Sequence, residues 1–406
     1  MNLTNKRKIF INAALVGFMV ALAEEEEDNE GPQQRGIRRR KCWVKQYLQQ
    51  RNGRGKHANF ENLTKNPTHF FANFHMSFDT FQSLFSLLEP HLLPKRISRG
   101  NDFIRVELKF AAVLEYFALG GLQRDVSFSY RISKQHFGLL VAAVCEAIVQ
   151  ELGWEIPQWE KYAVLGSALD SEKTWNLPNC VGAIGGKLLG VGPPMKNREE
   201  MSCIPIFAVC DPSLRFTYLD VGDILRANDP DLFVKSNLGK AILTESLYFP
   251  EDSCVNGSPM TYYVVSGDDT FPLIKRIMKP FESKSISREE QHFNERIHHA
   301  SSCIDKAFGL LSANWTVMRR QAMCRPERAK QIARACCLLH NYLLRTKPKD
   351  YTDWLPENNE AMIPINSVIT PGGNEDYPKL VRDSIKNSLI VRKEMGQASL
   401  QAHKHA

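Results

Sequence analysis

The chain contains no C-x-x-C pair, no cysteine at finger-like spacing from histidine, no internal repeat and no uninterrupted apolar run as long as a bilayer demands. Each absence removes a class of protein. Ten cysteines are present, but they are scattered, and several lie inside apolar strings such as IPIFAVCD and ARACCLLHNYL. Small buried thiols of a reducing compartment are distributed in this way, which speaks against a disulfide frame and against a zinc module. The apolar stretch 9–23 follows a basic start and precedes EEEEDNE. It falls short of the ~20 residues of a spanning helix; its flanks suit a signal peptide, but the cysteine usage favours a terminal helix. The expectation is a protein of the nucleus, with the cytoplasm as the alternative, and no membrane partner.

The formal charge is +7 and the isoelectric point about 8.8. A mildly basic balance favours anionic partners such as nucleic acid without proving one. Arg38, Arg39, Arg40 and Lys41 follow the acidic run directly. They suit a nuclear-import patch, a phosphate contact, or a merely solvated charged surface. Length supports roughly two or three folded units. Composition divides the chain into a segment 1–60 with acidic and basic runs, a helical domain 61–155, an α/β domain 175–345, and a polar tail 346–406 with a helix near 380–393.

From Met76 to Leu152 the apolar residues recur at helical spacing, and Gly120 with Gly121 can stop a helix, so a three-helix unit is expected. Ser133 is placed as the N-cap of a helix whose stripe is Phe137, Leu140, Val144 and Ile148. A short helix, a turn and a capped helix are compatible with a helix-turn-helix, in which Lys134, Gln135 and His136 would meet base edges; any helical packing unit reads similarly.

After Trp175 the period changes. NCVGAIGG, KLLGVG, PIFAVCD and RFTYLDVG read as short apolar strands, with a turn at Asp211, Pro212 and Ser213. A helix near Asp229 follows, then TYYVVSGDD as a further strand. Two long helices close the region. One carries Phe293, Ile297, Ala300, Ile304, Phe308 and Leu311 as a single stripe; the other carries Ile332, Cys336, Leu339 and Leu343. Acids at strand ends and on a covering helix are a setting for hydrolytic metal chemistry, although a strand-end Asp ordinarily caps a turn or a helix. His340 reads as a hydrogen-bonded core residue.

The strings LPNCVGAIGGKLLGV, IFAVCDPSLRFTYLDVGDILRANDPDLFVKSNLGKAIL, GDDTFPLIKRIMKPF, FNERIHHASSCIDKAFGLLSANW and ARACCLLHNYLL, in this order, resemble the PIF/Harbinger transposase-derived nucleases, a branch of the DDE superfamily. The resemblance implies an RNase H-like mixed sheet flanked by helices, preceded by an all-helical region. It also implies two divalent cations, Mg²⁺ or Mn²⁺, held by two Asp and one Glu, because paired metals clamp the attacking and leaving oxygens of a phosphodiester. Gly185 stands where the first acid belongs, and glycine offers no ligand. Asp229 is matched to the second acid, with Asp231 close by, and Asp305 stands for the helical Glu. His298, Asp305 and Ser312 are spaced by seven on that helix, with Ser301 where the family usually has Arg. Asp268 is a substitute carboxylate; Asp269 and Asp220 are further candidates. The resemblance therefore implies a domesticated nuclease fold with impaired catalysis that works by binding DNA, or a Myb/SANT-like nuclear protein. The alternative is an active metal-dependent nuclease.

Overall fold

The computed structural model describes residues 55–93, 104–192, 201–229, 231–255, 257–282, 286–353, 362–365 and 376–404; Arg38, Arg39, Arg40, Lys41 and the stretch 9–23 lie outside them. All described residues fall within one compact unit, Tyr47–Ala406.

Helices come first along the chain: α1 (Lys56–Thr64), α2 (Pro67–Phe74), α3 (Phe78–Leu92), α4 (Val106–Leu119), α5 (Gln123–Ser129) and α6 (Lys134–Leu152). Ser77 caps α3 and Ser133 caps α6, each hydroxyl accepting a backbone N–H three residues on. Gly120 ends α4 at a left-handed φ of 61°. The short helix expected ahead of the turn and the Ser133-capped helix is α5, which ends at Ser129. By length and composition Lys134–Glu155 could cross a membrane. Its apolar side, however, is buried against neighbouring helices through Phe137, Val141, Val144 and Ile148. A 3₁₀ turn (Gly153–Glu155) and α7 (Lys161–Trp175) lead into the sheet.

NCVGAIGG and KLLGVG, read from sequence as separate segments, form one strand, β1 (Cys180–Gly190). Its glycines are points of close approach rather than turns: a Cβ on Gly186 would lie 2.7 Å from the Phe207 ring. β1 pairs antiparallel with β2 (Ser202–Cys210), which pairs antiparallel with β3 (Phe216–Val221). Asp211 makes the connecting turn, its carboxylate accepting the N–H groups of Ser213 and Arg215 and the Arg215 guanidinium. The chain then runs through β4 (Leu225–Arg226), α8 (Leu232–Lys235), α9 (Asn237–Leu243) and a small hairpin, β5 (Ser253–Val255) with β6 (Ser258–Met260). The helix expected near Asp229 thus begins at Leu232. Next, β7 (Tyr263–Val265) and β8 (Ile277–Met278) add parallel to the other edge of β1. The resulting order, β3-β2-β1-β7-β8, is the RNase H-like mixed sheet.

Two long helices cover one face. α10 (Arg288–Asn314) starts with a capping box, Ser287 and Glu290 bonding each other's backbone N–H, and buries Phe293, Ile297, Ala300, Ile304, Phe308 and Leu311. α11 (Pro326–Thr346) buries Ile332, Cys336, Leu339 and Leu343. Fully burying one such Phe, Ile or Leu contributes on the order of 1.5–3 kcal/mol. These helices share one hydrophobic cluster with α2 to α6, whereas α7, α8 and α9 cover the opposite sheet face over a second cluster. A short α12 (Pro348–Thr352) follows. The polar tail then returns to the body: β9 (Ile363–Pro364) pairs with β1 at Lys187 and Leu188, and α13 (Asp376–Lys404) buries Ile385 and Leu389.

Buried polar side chains tie these layers together. Asn341 accepts the Phe216 N–H at 2.8 Å and donates to the Phe216 and Glu155 carbonyls. Arg345 clamps Glu155 at 2.6 Å. His340 donates to the Leu214 carbonyl at 2.9 Å, which fixes its tautomer and leaves the other ring nitrogen to accept the Tyr351 hydroxyl at 2.8 Å. Burial pushes His340 from its ordinary 6.5 down to about 4, and it does the same to His75, whose ring donates to Asn314.

Both imidazoles are therefore neutral in the native state, while the unfolded chain takes up protons below about pH 6.5. Stability is full above that value and is lost as pH falls toward 4, by about 2 kcal/mol per histidine at pH 5. Urea midpoints measured between about pH 7.5 and pH 5 should fall steeply, and less steeply in His340→Gln; equal slopes for the two proteins would contradict the assignment.

Candidate functional site

β1 and β7 run parallel, with one register shift between Cys180 and Gly182, up to Ala183 and Val265. Beyond that point β7 has ended, and β9 reaches β1 only at Lys187 and Leu188. A crevice opens where parallel strands end, the usual place for a site in an α/β sheet. It is a cleft of about 490 Å³ lined by residues 184–187 of β1, by residues 266–269 after β7, and by His298, Ser301, Ser302, Ile304 and Asp305 of α10.

Alternation along β1 decides which residues face it. Gly186 is directed to the α7 side, toward Phe207 and Ile365, whereas a Cβ on Gly185 would point at α10. There it would stand 2.7 and 2.9 Å from the two γ carbons of Ile304. Ile304 is buried and β-branched, so it has little freedom to yield. Lys187, two residues on and on the same face, donates to Asp305 Oδ1 at 2.8 Å. The lysine side chain is 18% exposed and the aspartate 68%. Asp268 forms a local turn, accepting the N–H and hydroxyl of Thr270 at 3.0 and 2.9 Å. Asp269 pairs with Lys279 at 3.1 Å.

The structure thus brings together Gly185, Asp268, Asp269, His298, Ser301 and Asp305, and it does not bring Asp229 to them. Gly185 pairs with Ala208, while Ala227 bonds back to Met201 at the opposite end of β2, roughly 20 Å along the strand. Asp229 instead accepts the Asp231 N–H and the Lys235 ammonium at 2.6 Å, and that ammonium holds its carboxyl below the ordinary range. Pairing Asp229 with Asp305 in one metal site is therefore corrected. The acid that follows the strand beside β1 is Asp268. Asp220 caps α9, accepting the Leu238 N–H at 2.8 Å. Ser312 is buried against the Gly309 carbonyl, away from the cleft lining.

Lys187 escaped the sequence reading, although it is the one charged residue in CVGAIGGKLLG. Lys134, Gln135 and His136 are exposed on the first turn of α6. The outward positions further along that helix include Ala143, Glu146 and Gln150 and add no cation, so phosphate contact through α6 is confined to its start.

The donor set does not fit a two-metal centre. Position 185 supplies no oxygen, an ammonium already occupies Asp305, and among the described residues no group of three His, Cys, Asp or Glu side chains is placed to hold a metal ion.

Residues 195–341 match the family described as DDE superfamily endonuclease. This stretch of the chain is thus similar to a DDE superfamily endonuclease domain, in a match that spans Asp229, Asp268 and Asp305 and begins after Gly185. It is also similar to "Protein ALP1-like" of Arabidopsis thaliana, 29% identical over 198 residues. That alignment covers 45% of this chain and 47% of the relative, so the chain spans about half the length of the curated relative it matches. No solved structure matches the chain.

Replacing a strand glycine usually gains about 0.5–1 kcal/mol, but overpacking a fitted interface costs about 1–3 kcal/mol. Gly185→Ala should therefore lower the free energy of unfolding in urea, and Ile304→Ala should relieve that loss in a double-mutant cycle. An unshifted midpoint for Gly185→Ala would show that α10 does not rest on β1.

Proposed function

We propose that the protein is a Harbinger-type transposase derivative that has lost strand cleavage and acts in the nucleus by binding DNA together with a protein partner of the Myb/SANT-like kind. One observation supports this reading: in the cleft, Lys187 occupies the Asp305 carboxylate on α10, beside a glycine, Gly185, at the position that the resemblance assigns to an acid. A fold without its chemistry still offers a shaped surface. The net charge of +7, the cluster Arg38, Arg39, Arg40 and Lys41, and exposed Lys134 and Gln135 support an anionic partner. Phosphate neutralisation by such groups releases counterions, so affinity depends on salt.

A second reading, a rebuilt metal-dependent nuclease, is favoured by the three aspartates lining one cleft, Asp268, Asp269 and Asp305. It requires both lysine pairs to open for Mg²⁺ or Mn²⁺.

Supercoiled plasmid incubated with the purified chain and Mg²⁺ or Mn²⁺ separates the two readings. The expected outcome is no nicking by wild type; nicking that disappears in Asp268→Ala would sink the leading reading. Duplex DNA binding followed by fluorescence anisotropy should weaken linearly in log–log form as salt rises, by about 0.9 per phosphate contacted. Alanine at positions 38–41 should flatten that slope, and salt-independent affinity would contradict a DNA partner.

A further inference from the structure

The three departures from a metal-binding cleft fit one another. Gly185 and Lys187 lie on the same face of β1, and both meet consecutive residues of α10. Ile304 fills the volume that a side chain at 185 would need, and Asp305 takes the lysine. An aspartate at 305 is one methylene shorter than a glutamate, which leaves room for an ammonium between strand and helix. Lys187 is held from both sides by backbone pairing, with Ile206 of β2 and Pro364 of β9, so its stem leaves the sheet from a fixed point. The lysine is the more buried partner, and among the described residues no other carboxylate pairs with it. A half-buried ammonium favours a nearby counter-charge, which Asp305 supplies.

We propose that Lys187 is a built-in cation standing where this cleft would otherwise take a divalent metal, so that the site excludes metal actively rather than merely lacking one ligand. The inference rests on reading the cleft as non-cutting, and it goes further. A metal drawn to Asp305 and Asp268 meets a fixed positive charge at short range, and Gly185→Asp alone restores neither the space nor the electrostatics. The departures thus reinforce one another, and the lysine's charge opposes a cation at Asp268 and Asp305 whatever residue stands at 185.

Mn²⁺ titration followed by electron paramagnetic resonance tests this without any catalytic readout. Two variants are compared, Gly185→Asp with Ile304→Ala, and the same pair with Lys187→Met, which keeps the stem and removes the charge. Both present carboxylates at 185, 268 and 305 with space between them. Wild type and the double variant should take up little Mn²⁺, and the triple variant should bind at least about tenfold more tightly than the double. Equal affinity in the two variants, no binding by either, or tight binding by wild type that Asp305→Asn removes would each overturn the proposal. If the triple variant does not fold, Lys187→Met alone is titrated beside wild type: gained Mn²⁺ uptake supports the proposal, and none overturns it. Plasmid nicking by wild type bears on the proposed function, whereas a silent wild type with equal Mn²⁺ affinity in the double and triple variants rejects only the lysine's role.

Discussion

The spacing between α10 and β1 is the constraint on which most of the molecule depends. A strand residue without a side chain, Gly185, lies under a β-branched helical residue, Ile304, and the helix can settle on the sheet only because nothing projects between them. From that contact the buried stripe of Phe293, Ile297, Phe308 and Leu311 takes its depth, and Gly267 comes close to Ser301. Interiors packed at crystal-like density transmit such a spacing instead of absorbing it. The width of the cleft, the reach of Lys187 and the position of Asp305 are all set by it.

A second set of contacts joins the helical region to the sheet. Asn341 completes the backbone bonding of Phe216 at the start of β3 and also holds the Glu155 carbonyl, while Arg345 holds the Glu155 carboxylate. His340, one residue before Asn341, secures the turn at Leu214. Consecutive polar residues on one buried helix thus satisfy groups from three parts of the chain. Removing one partner of such a network leaves desolvated groups unpaired, which costs more than the bond itself contributed.

Local physics was legible in the sequence. The stripes of α10 and α11, the Ser133 cap, the Gly120 stop and the Asp211 turn all depend on residues within a few positions of one another, and each is where the pattern placed it. The failures were non-local. Asp229 and Asp268 both follow turn-like strings, and only the parallel pairing of β7 with β1 decides which one stands at the cleft. Lys187 and Asp305 are 118 residues apart, beyond any periodicity. β1 was divided because glycine in sequence suggests a turn, whereas here its glycines admit neighbouring side chains.

The return of the tail to the sheet constrains how the chain folds as it is made. β1 is completed along one edge at Lys187 and Leu188 by Ile363 and Pro364, so the central strand of the sheet waits for residues far downstream. During synthesis at about 5–20 residues per second, β1 spends many seconds with that edge unpaired. An unpaired strand edge invites association with other chains, and long-range pairing of this kind is slow even in a complete chain. The glycine-rich, thinly hydrophobic middle of β1 makes a poor template for such association, so the glycines that admit Ile304 and Phe207 also moderate the hazard of a strand that must wait for its partner.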